Sequence, residues 1–198
     1  MAADEEVPLP GGHMNTVVRV GDTVRRTTGP WTPTIHALLR HIRANGFTLG
    51  PEPLGIDERG REILSFVAGE TPHSPLPDWL FSDAMLDAVG RMVRAYHEAV
   101  RGFVAPPDAV WQLPAHEPVE VVCHNDIAPY NLVFDGERLT GVIDWDVASP
   151  GPRVWDSPTP RTASSRSRPR TTPTSRSPAR PSRSAASRGS APPTARTT

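Results

Sequence analysis

The sequence contains no lysine, so all 21 of its basic residues are arginine. A lysine Schiff base is therefore excluded, and arginine has to serve wherever a cation binds phosphate. Cys123 is the one cysteine among 198 residues, which excludes an intramolecular disulfide and a multi-cysteine metal site. No run approaches the roughly 20 apolar residues of a membrane span, and the acidic start lacks the pattern of a secretory signal. We expect a soluble, cytoplasmic protein without a membrane partner.

Acidic side chains are missing from residues 157–198. Residues 1–156 carry all 22 acids against 12 arginines, a formal net charge of −10, whereas the last 42 residues carry nine arginines, a charge of +9. The rest of this tail is Ser, Pro, Thr, Ala and one Gly. Because it has no large apolar side chain with which to offset the entropy of ordering, we predict a disordered, low-complexity tail.

The part before the tail alternates strand and helix patterns. Alternation around Gly21-Asp22 predicts a hairpin, and apolar side chains at helical spacing predict two helices. The predicted elements are a hairpin over 16–26, a helix over 33–45, a hairpin of 54–56 with 62–67, a helix over 83–101, and strands at 119–123, 131–134 and 139–143. We predict an α+β fold with a first lobe over 1–67 and a second over 68–156.

The densest group of chemically capable side chains lies between residues 121 and 146. It consists of His124, Asn125, Asp126, Asn131, Asp144 and Asp146. These residues fall at predicted strand ends or in loops, where a scaffold holds functional side chains against a cleft. Oxygen donors without further Cys or His at ligand spacing suit Mg²⁺ rather than zinc. The spacing allows one general base and two metal ligands to meet, although Asp126 and Asn131 alone would also fit a turn aspartate and a loop cap.

This pattern resembles the aminoglycoside phosphotransferase family, small-molecule kinases with a protein-kinase-like fold. The resemblance rests on His124-Asn125-Asp126 with Asn131, on Ile143-Asp144-Trp145-Asp146 and on Trp155-Asp156, and it covers about residues 9–156. It implies that Asp126 is the catalytic base, that His124 braces the catalytic loop, and that Asn131 and Asp144 bind Mg²⁺. It also implies that Asp156 supports the loop and that the second lobe is truncated in this chain.

The resemblance further implies an ATP site in the first lobe, where the sequence departs from the family. Kinase-like folds hold the α and β phosphates with a strand lysine paired to a helix glutamate. This chain has no lysine, and its helix over 33–45 contains no acid. Arg25 or Arg26 is therefore the candidate phosphate ligand, and Ser65, Phe66 and Val67 belong to the hinge that would contact adenine. The expected cofactors are ATP and Mg²⁺.

Two residues outside this pattern are interpreted as structural rather than functional. We expect His97 to be a packed helix residue rather than a ligand, and Cys123 to be a small buried strand residue rather than a reactive thiol.

The predicted function is transfer of the ATP γ-phosphate to a hydroxyl of a small molecule or amino-alcohol. Aminoglycosides, other aminated sugars, choline-like alcohols and homoserine-like metabolites all remain open as acceptors, and so does the oligomeric state. Because substrate-binding helices would normally follow residue 156, we expect weak Mg·ATP binding with little transfer. The alternative is a non-catalytic, degenerate kinase fold that binds nucleotide or a partner. Nucleic-acid binding by the basic tail is less favoured, because the tail lacks aromatic residues and a repeated arginine motif.

The abrupt change at Ser157 suggests a shifted reading frame. Family members often continue after the Trp-Asp landmark with a segment similar to Leu-Ala-Tyr-Ala-Ala-Tyr-Arg-Phe-Val-Pro. Removing the first base from GC-rich codons for that segment gives SPTPRTASSR, the sequence of residues 157–166. The frame hypothesis predicts that the coding DNA, read in the shifted frame, restores apolar residues at the tail serines.

Overall fold

The computed structural model describes residues 5–9 and 17–157. Apart from Ser157, the predicted tail lies outside these residues. The described part contains two α-helices and nine strands, and it fits the predicted α+β class. No helix within it is long and apolar enough to cross a membrane.

The first part of the chain forms a five-stranded antiparallel sheet in the order β1-β2-β3-β5-β4. Its strands are β1 (Val7–Pro8), β2 (Val18–Val20), β3 (Thr23–Thr27), β4 (Pro53–Ile56) and β5 (Arg61–Ser65). Gly21, at φ 57°, makes the tight turn between β2 and β3, as its Gly-Asp dipeptide predicts. The register that matters later is between β3 and β5, where Arg26 lies directly opposite Glu62.

Helix α1 (Thr32–Ala44) follows β3. Its buried side includes Ile35, Leu38, Leu39 and Ile42, as the apolar spacing predicts. The helix begins one residue earlier than predicted. The Thr32 hydroxyl accepts a hydrogen bond from the Gly29 N–H at 2.9 Å, in the preceding turn, and makes no cap bond to the helix itself.

Helix α2 (Asp83–Ala99) follows a short 3₁₀ helix, Asp78–Phe81. The Ser82 hydroxyl caps its first turn by accepting from the Met85 N–H at 3.2 Å. The buried stripe includes Met85, Val89, Met92, Val93 and Tyr96. Leu86, three residues before Val89, is by contrast 44% exposed.

The remaining strands form two small antiparallel pairs on either side of the polar loop, residues 124–131. Strand β6 (Val121–Cys123) pairs with β9 (Ser149–Gly151), and β7 (Leu132–Asp135) pairs with β8 (Arg138–Val142). Short 3₁₀ helices cover Pro129–Asn131 and Arg153–Asp156. Strand β9 was not predicted, because its Ser-Pro-Gly sequence has low strand propensity.

A continuous apolar core connects α1, α2 and the small strand pairs. Trp145 lies near its centre, with its ring edge-on to Tyr96 at 4.9 Å and to His124 at 4.6 Å between centroids. Trp145 therefore packs the polar loop against α2.

The connection after β5 is held closely against the β7–β8 hairpin. The Glu70 N–H donates to the Phe134 carbonyl at 2.8 Å, and the Phe134 N–H donates back to the Glu70 carbonyl at 2.9 Å. Gly69 packs so tightly here that a Cβ would lie 2.4 Å from the Phe134 carbonyl oxygen. The chain just after the predicted hinge residues Ser65, Phe66 and Val67 is therefore anchored to β7.

Candidate active site

The candidate catalytic loop begins where β6 ends and closes in the 3₁₀ turn Pro129–Asn131. Asp126 Oδ1 accepts from the Tyr130 hydroxyl at 2.8 Å, and its Oδ2 accepts from Asn131 Nδ2 at 2.9 Å. The same Asn131 Nδ2 also donates to the Asp126 carbonyl at 2.9 Å. Two side-chain donors thus fix the orientation of the Asp126 carboxylate, and the buried Asn131 side chain is aligned with it.

Ile143 brings the next candidate ligand to this loop through its backbone. Its N–H donates to the Asn131 carbonyl at 2.9 Å, and its carbonyl accepts from His124 Nε2 at 3.1 Å. Asp144 is the next residue, so it lies one peptide from both contacts. Its backbone is left-handed, with φ 64°, and its side chain is 51% exposed. The structure therefore brings Asn131 and Asp144 together, with Asp144 open to solvent.

His124 lies inside this arrangement and is fully buried. Because Nε2 donates to a carbonyl, Nδ1 is left to accept the Asp126 N–H at 3.3 Å, which is the pattern of a neutral imidazole. Burial lowers the pKa of His124 below its ordinary value, and nearby carboxylates only partly offset this effect. The contacts of His124 link the loop to the Ile143 backbone.

Asp156 supports the loop from the opposite side. Its Oδ2 accepts from the His124 N–H at 2.9 Å, and its Oδ1 accepts from the Asn125 N–H at 2.8 Å. His97 Nε2, from α2, donates to the same Oδ2 at 2.9 Å. The buried Asp156 carboxylate thereby holds the turn in which Asn125 takes a φ of 66°. His97 is packed in the core, as expected, and it also orients Asp156.

The two arginine candidates of β3 lie on opposite faces of the strand. Arg25 is paired with Asp57 at 3.9 Å and donates to the Thr23 hydroxyl. Arg26 is buried and donates to Asp144 Oδ1 at 3.2 Å and to Asp146. Since successive side chains of a strand alternate in direction, only one of the two arginines can reach the loop. The structure brings Arg26 to Asp144 and leaves Arg25 on the other face.

Arg26 also contacts Glu62, a residue outside the site that the sequence predicts. Three carboxylates therefore surround its guanidinium, from Glu62, Asp144 and Asp146. Burial acts to lower the pKa of Arg26, but the carboxylates outweigh it and raise the pKa, so the group stays charged. Burial raises the pKa of Asp146, and Arg26 opposes that effect. Glu62 could be identified only from the pairing of β3 with β5, and the sequence does not show this pairing because the two strands are not consecutive.

The candidate adenine hinge lies at the end of β5. The Ser65 N–H donates to the Glu52 carbonyl and the Phe66 N–H to the Asp22 carbonyl, both at 2.9 Å. The Phe66 ring also lies against the Arg19 guanidinium, 3.9 Å from its carbon to the ring centroid. The N–H groups of Ser65 and Phe66 are thus engaged in backbone hydrogen bonds in this structure. Val67 packs against Gly141 of β8.

The donors at the loop suit a magnesium ion better than a softer metal. Asn131 and Asp144 offer an amide and a carboxylate oxygen, and Mg²⁺ completes such sites with water and substrate phosphates. Among residues 5–9 and 17–157, no group of three or more His, Cys, Asp or Glu side chains could hold a metal ion. Asn131 and Asp144 are the candidate metal ligands of this loop.

Comparison with solved structures defines the class to which this fold belongs. The chain is similar to a choline/ethanolamine kinase family protein from Mesorhizobium loti, with a TM-score of 0.55 and 22% identity over 77% of this chain and 61% of that one. It is also similar to the ADP-bound aminoglycoside phosphotransferase APH(2'')-Ib, with a TM-score of 0.58 and 14% identity over 79% of this chain and 70% of that one. The fold is that of the phosphotransferase-like kinases.

The sequence comparisons then give the family. Residues 104–157 match the phosphotransferase enzyme family, which includes the loop from His124 to Asp146. This match confirms the resemblance to that family seen in the motifs of the chain.

Two curated relatives extend the match beyond that region. A trifolitoxin immunity protein of Rhizobium leguminosarum bv. trifolii is 39% identical over 74% of this chain and 57% of its own length. The homoserine kinase of Zymomonas mobilis is 27% identical over 78% of this chain and 48% of its own length. The chain thus spans about half the length of the curated relatives that it matches.

Proposed function

We propose that this chain is a phosphotransferase that moves the γ-phosphate of ATP to a hydroxyl group of a small molecule. The observation that carries the proposal is the arrangement of Asp126, Asn131 and Asp144. The Asp126 carboxylate is fixed by two side-chain donors. Asp144 directly follows Ile143, whose N–H donates to the Asn131 carbonyl. Phosphoryl transfer needs little more from a protein than such positioning together with electrostatic stabilisation.

Each residue of the arrangement takes a separate role. Asp126 accepts or orients the hydroxyl proton of the acceptor, and His124 and Asp156 hold its loop in place. Asn131 and Asp144 would hold Mg²⁺, which when bound neutralises charge on the phosphates. Arg26 is the cation of the sheet that faces Asp144, and it takes the place of a phosphate-binding lysine.

The acceptor is proposed to be an amino-alcohol. The names of the similar proteins have this chemistry in common, since homoserine, choline, ethanolamine and aminoglycosides all carry a hydroxyl and an amino or quaternary ammonium group. Residues 1–156 carry a formal net charge of −10, which favours a cationic acceptor over an acidic one.

Replacing Asp126 tests the proposal. With Mg·ATP and a panel of homoserine, choline and an aminoglycoside, we expect Asp126→Asn to lower phosphate transfer by about 100-fold or more, because a general base contributes that much. Binding of Mg·ADP, measured by calorimetry, should stay close to that of the parent, because Asp126 does not face the nucleotide in this mechanism. The control is Asp135→Asn, which removes an exposed carboxylate from the tip of the β7–β8 hairpin. Equal transfer by the parent and Asp126→Asn would contradict the catalytic assignment.

A second candidate function is protection against a toxin without phosphate transfer. The trifolitoxin immunity protein, at 39% identity, favours it. Sensitive cells that produce the parent or Asp126→Asn, challenged with trifolitoxin, separate the two candidates. Protection by the parent alone indicates phosphate transfer, whereas equal protection by both indicates binding.

A further inference from the structure

Glu62 and Arg26 form a buried ion pair inside the sheet. They lie directly opposite each other on the antiparallel strands β3 and β5, so their side chains share one face. Arg26 Nε donates to Glu62 Oε1, and the two side chains are 11% and 2% exposed. A pair this deep fixes the direction of the guanidinium, because each charge would be costly to bury without the other.

Helix α1 holds the other oxygen of Glu62. His36 Nε2 lies 2.9 Å from Glu62 Oε2, and because a carboxylate only accepts, Nε2 carries the hydrogen. His36 is itself buried on the side of α1 that packs inward. Glu62 thus has one oxygen for the helix and one for Arg26, and it connects the two.

The far end of the Arg26 guanidinium reaches the candidate active site. Its remaining two nitrogens donate to Asp144, at 3.2 Å, and to Asp146. Both of these acids lie in the segment after β8, whereas Glu62, among the residues that the structure describes, is the carboxylate that holds Arg26 from within the sheet. Without it, the guanidinium would be oriented only by the acids beside which Mg²⁺ is proposed to bind.

We propose that Glu62, held by His36, is the positioning residue that directs Arg26 toward the phosphates of the nucleotide. The acid that orients the phosphate-binding cation would then lie on a strand, and the helix would contribute a histidine in place of an acid. This inference rests on the proposed function, and it accounts for a chain that has neither a lysine nor an acid on α1.

A purely structural ion pair would also be buried, so the test has to separate phosphate affinity from folding. Calorimetry with two probes, Mg·ADP and adenosine, does this because only the first carries phosphates. We expect Glu62→Gln to weaken Mg·ADP binding about tenfold or more, as the loss of a charge-assisted hydrogen bond predicts, and to leave adenosine binding unchanged. The control is Glu52→Gln, which removes a half-exposed carboxylate paired with Arg43, and we expect it to change neither affinity.

The double variant adds a readout that a structural role would not produce. If Glu62 acts through Arg26, then Glu62→Gln in an Arg26→Gln background should weaken Mg·ADP binding no further. Arg25 is the adjacent residue on the other face of β3. In an Arg25→Gln background, Glu62→Gln should therefore weaken Mg·ADP binding as much as it does in the parent. Additive losses with Arg26→Gln would overturn the proposal.

The His36 variants decide the question if Glu62→Gln does not fold. His36→Leu removes the donor and should weaken Mg·ADP binding, whereas His36→Gln keeps an N–H close to the same place and should restore it. Affinities equal to the parent in both variants would overturn the positioning role.

A parent that binds Mg·ADP no better than adenosine would instead contradict the proposed function. Parent-like Mg·ADP binding by a folded Glu62→Gln would contradict this inference alone.

Discussion

The buried Asp156 side chain orients a loop that lies about 30 residues earlier in the sequence. Its two oxygens accept from the consecutive N–H groups of His124 and Asn125 and from His97. The next residue along the chain is Asp126, so the position of the proposed base depends on a carboxylate 30 residues later in the sequence. The sequence motif indicates Asp156, but only the structure shows that α2 also holds it through His97.

We expect Asp156→Asn to destabilise the protein by about 3 kcal/mol, because an amide can offer only one acceptor oxygen to three donors in a buried place. Urea unfolding followed by circular dichroism measures this loss. Asp135→Asn removes a carboxylate from an exposed pair and should cost less than about 0.5 kcal/mol. A parent-like urea midpoint for Asp156→Asn would contradict its role as the support of the loop.

The β7–β8 hairpin joins the candidate catalytic loop to the connection after β5. Strand β7 follows Asn131 directly, and β8 leads into Ile143 and Asp144. At Gly141 the hairpin touches the first part of the chain so closely that an added Cβ would lie 2.3 Å from Val67 Cγ1 and 2.9 Å from the Leu49 carbonyl oxygen. Glycine at this position is therefore a packing requirement.

We predict that replacing glycine with alanine has opposite effects on stability at Gly141 and at Gly90. Gly141→Ala should destabilise the protein by about 1–3 kcal/mol, because the new methyl group overpacks the contact. Gly90→Ala should stabilise it by up to about 1 kcal/mol, because Gly90 lies within α2 and a Cβ there meets nothing within 4 Å. Thermal unfolding of both variants is the measurement. A parent-like melting temperature for Gly141→Ala would show that Val67 moves aside freely.

The elements that the sequence predicted are those with a local signal. Alternation around Gly21-Asp22 gives the β2–β3 hairpin, and helical spacing gives α1 and α2 to within a few residues. Strand β9, whose own sequence has low strand propensity, and Glu62 were both missed, and each depends on pairing between segments that are distant in the chain. Ser149–Gly151 becomes a strand only because β6 lies beside it, and Glu62 becomes part of the cluster only through its register with Arg26. The loop residues His124 to Asn131 were predictable as a group because they are close in sequence.

The first sheet and the candidate active site depend on each other. The apolar core runs without a break from α1 through α2 to Trp145. The Leu49 carbonyl accepts from the Val142 N–H at 2.9 Å, and Arg26 joins β3 to Asp144 and Asp146. Shared core and shared polar contacts favour one cooperative unfolding transition over two.

Cys123 makes that cooperativity measurable, because it is the one thiol of the chain and ends the strand before the candidate catalytic loop. It is buried, its Sγ lies 3.2 Å from the Pro152 carbonyl oxygen, and burial raises its pKa to about 12. At pH 8 the folded protein therefore holds almost no thiolate, while the unfolded chain holds an appreciable fraction. We expect a thiol reagent such as DTNB to label Cys123 only on unfolding, with a urea midpoint that matches the loss of circular dichroism. Labelling at a lower urea concentration would mean that the loop opens while the sheet remains folded, and that the two parts are not coupled as the core implies.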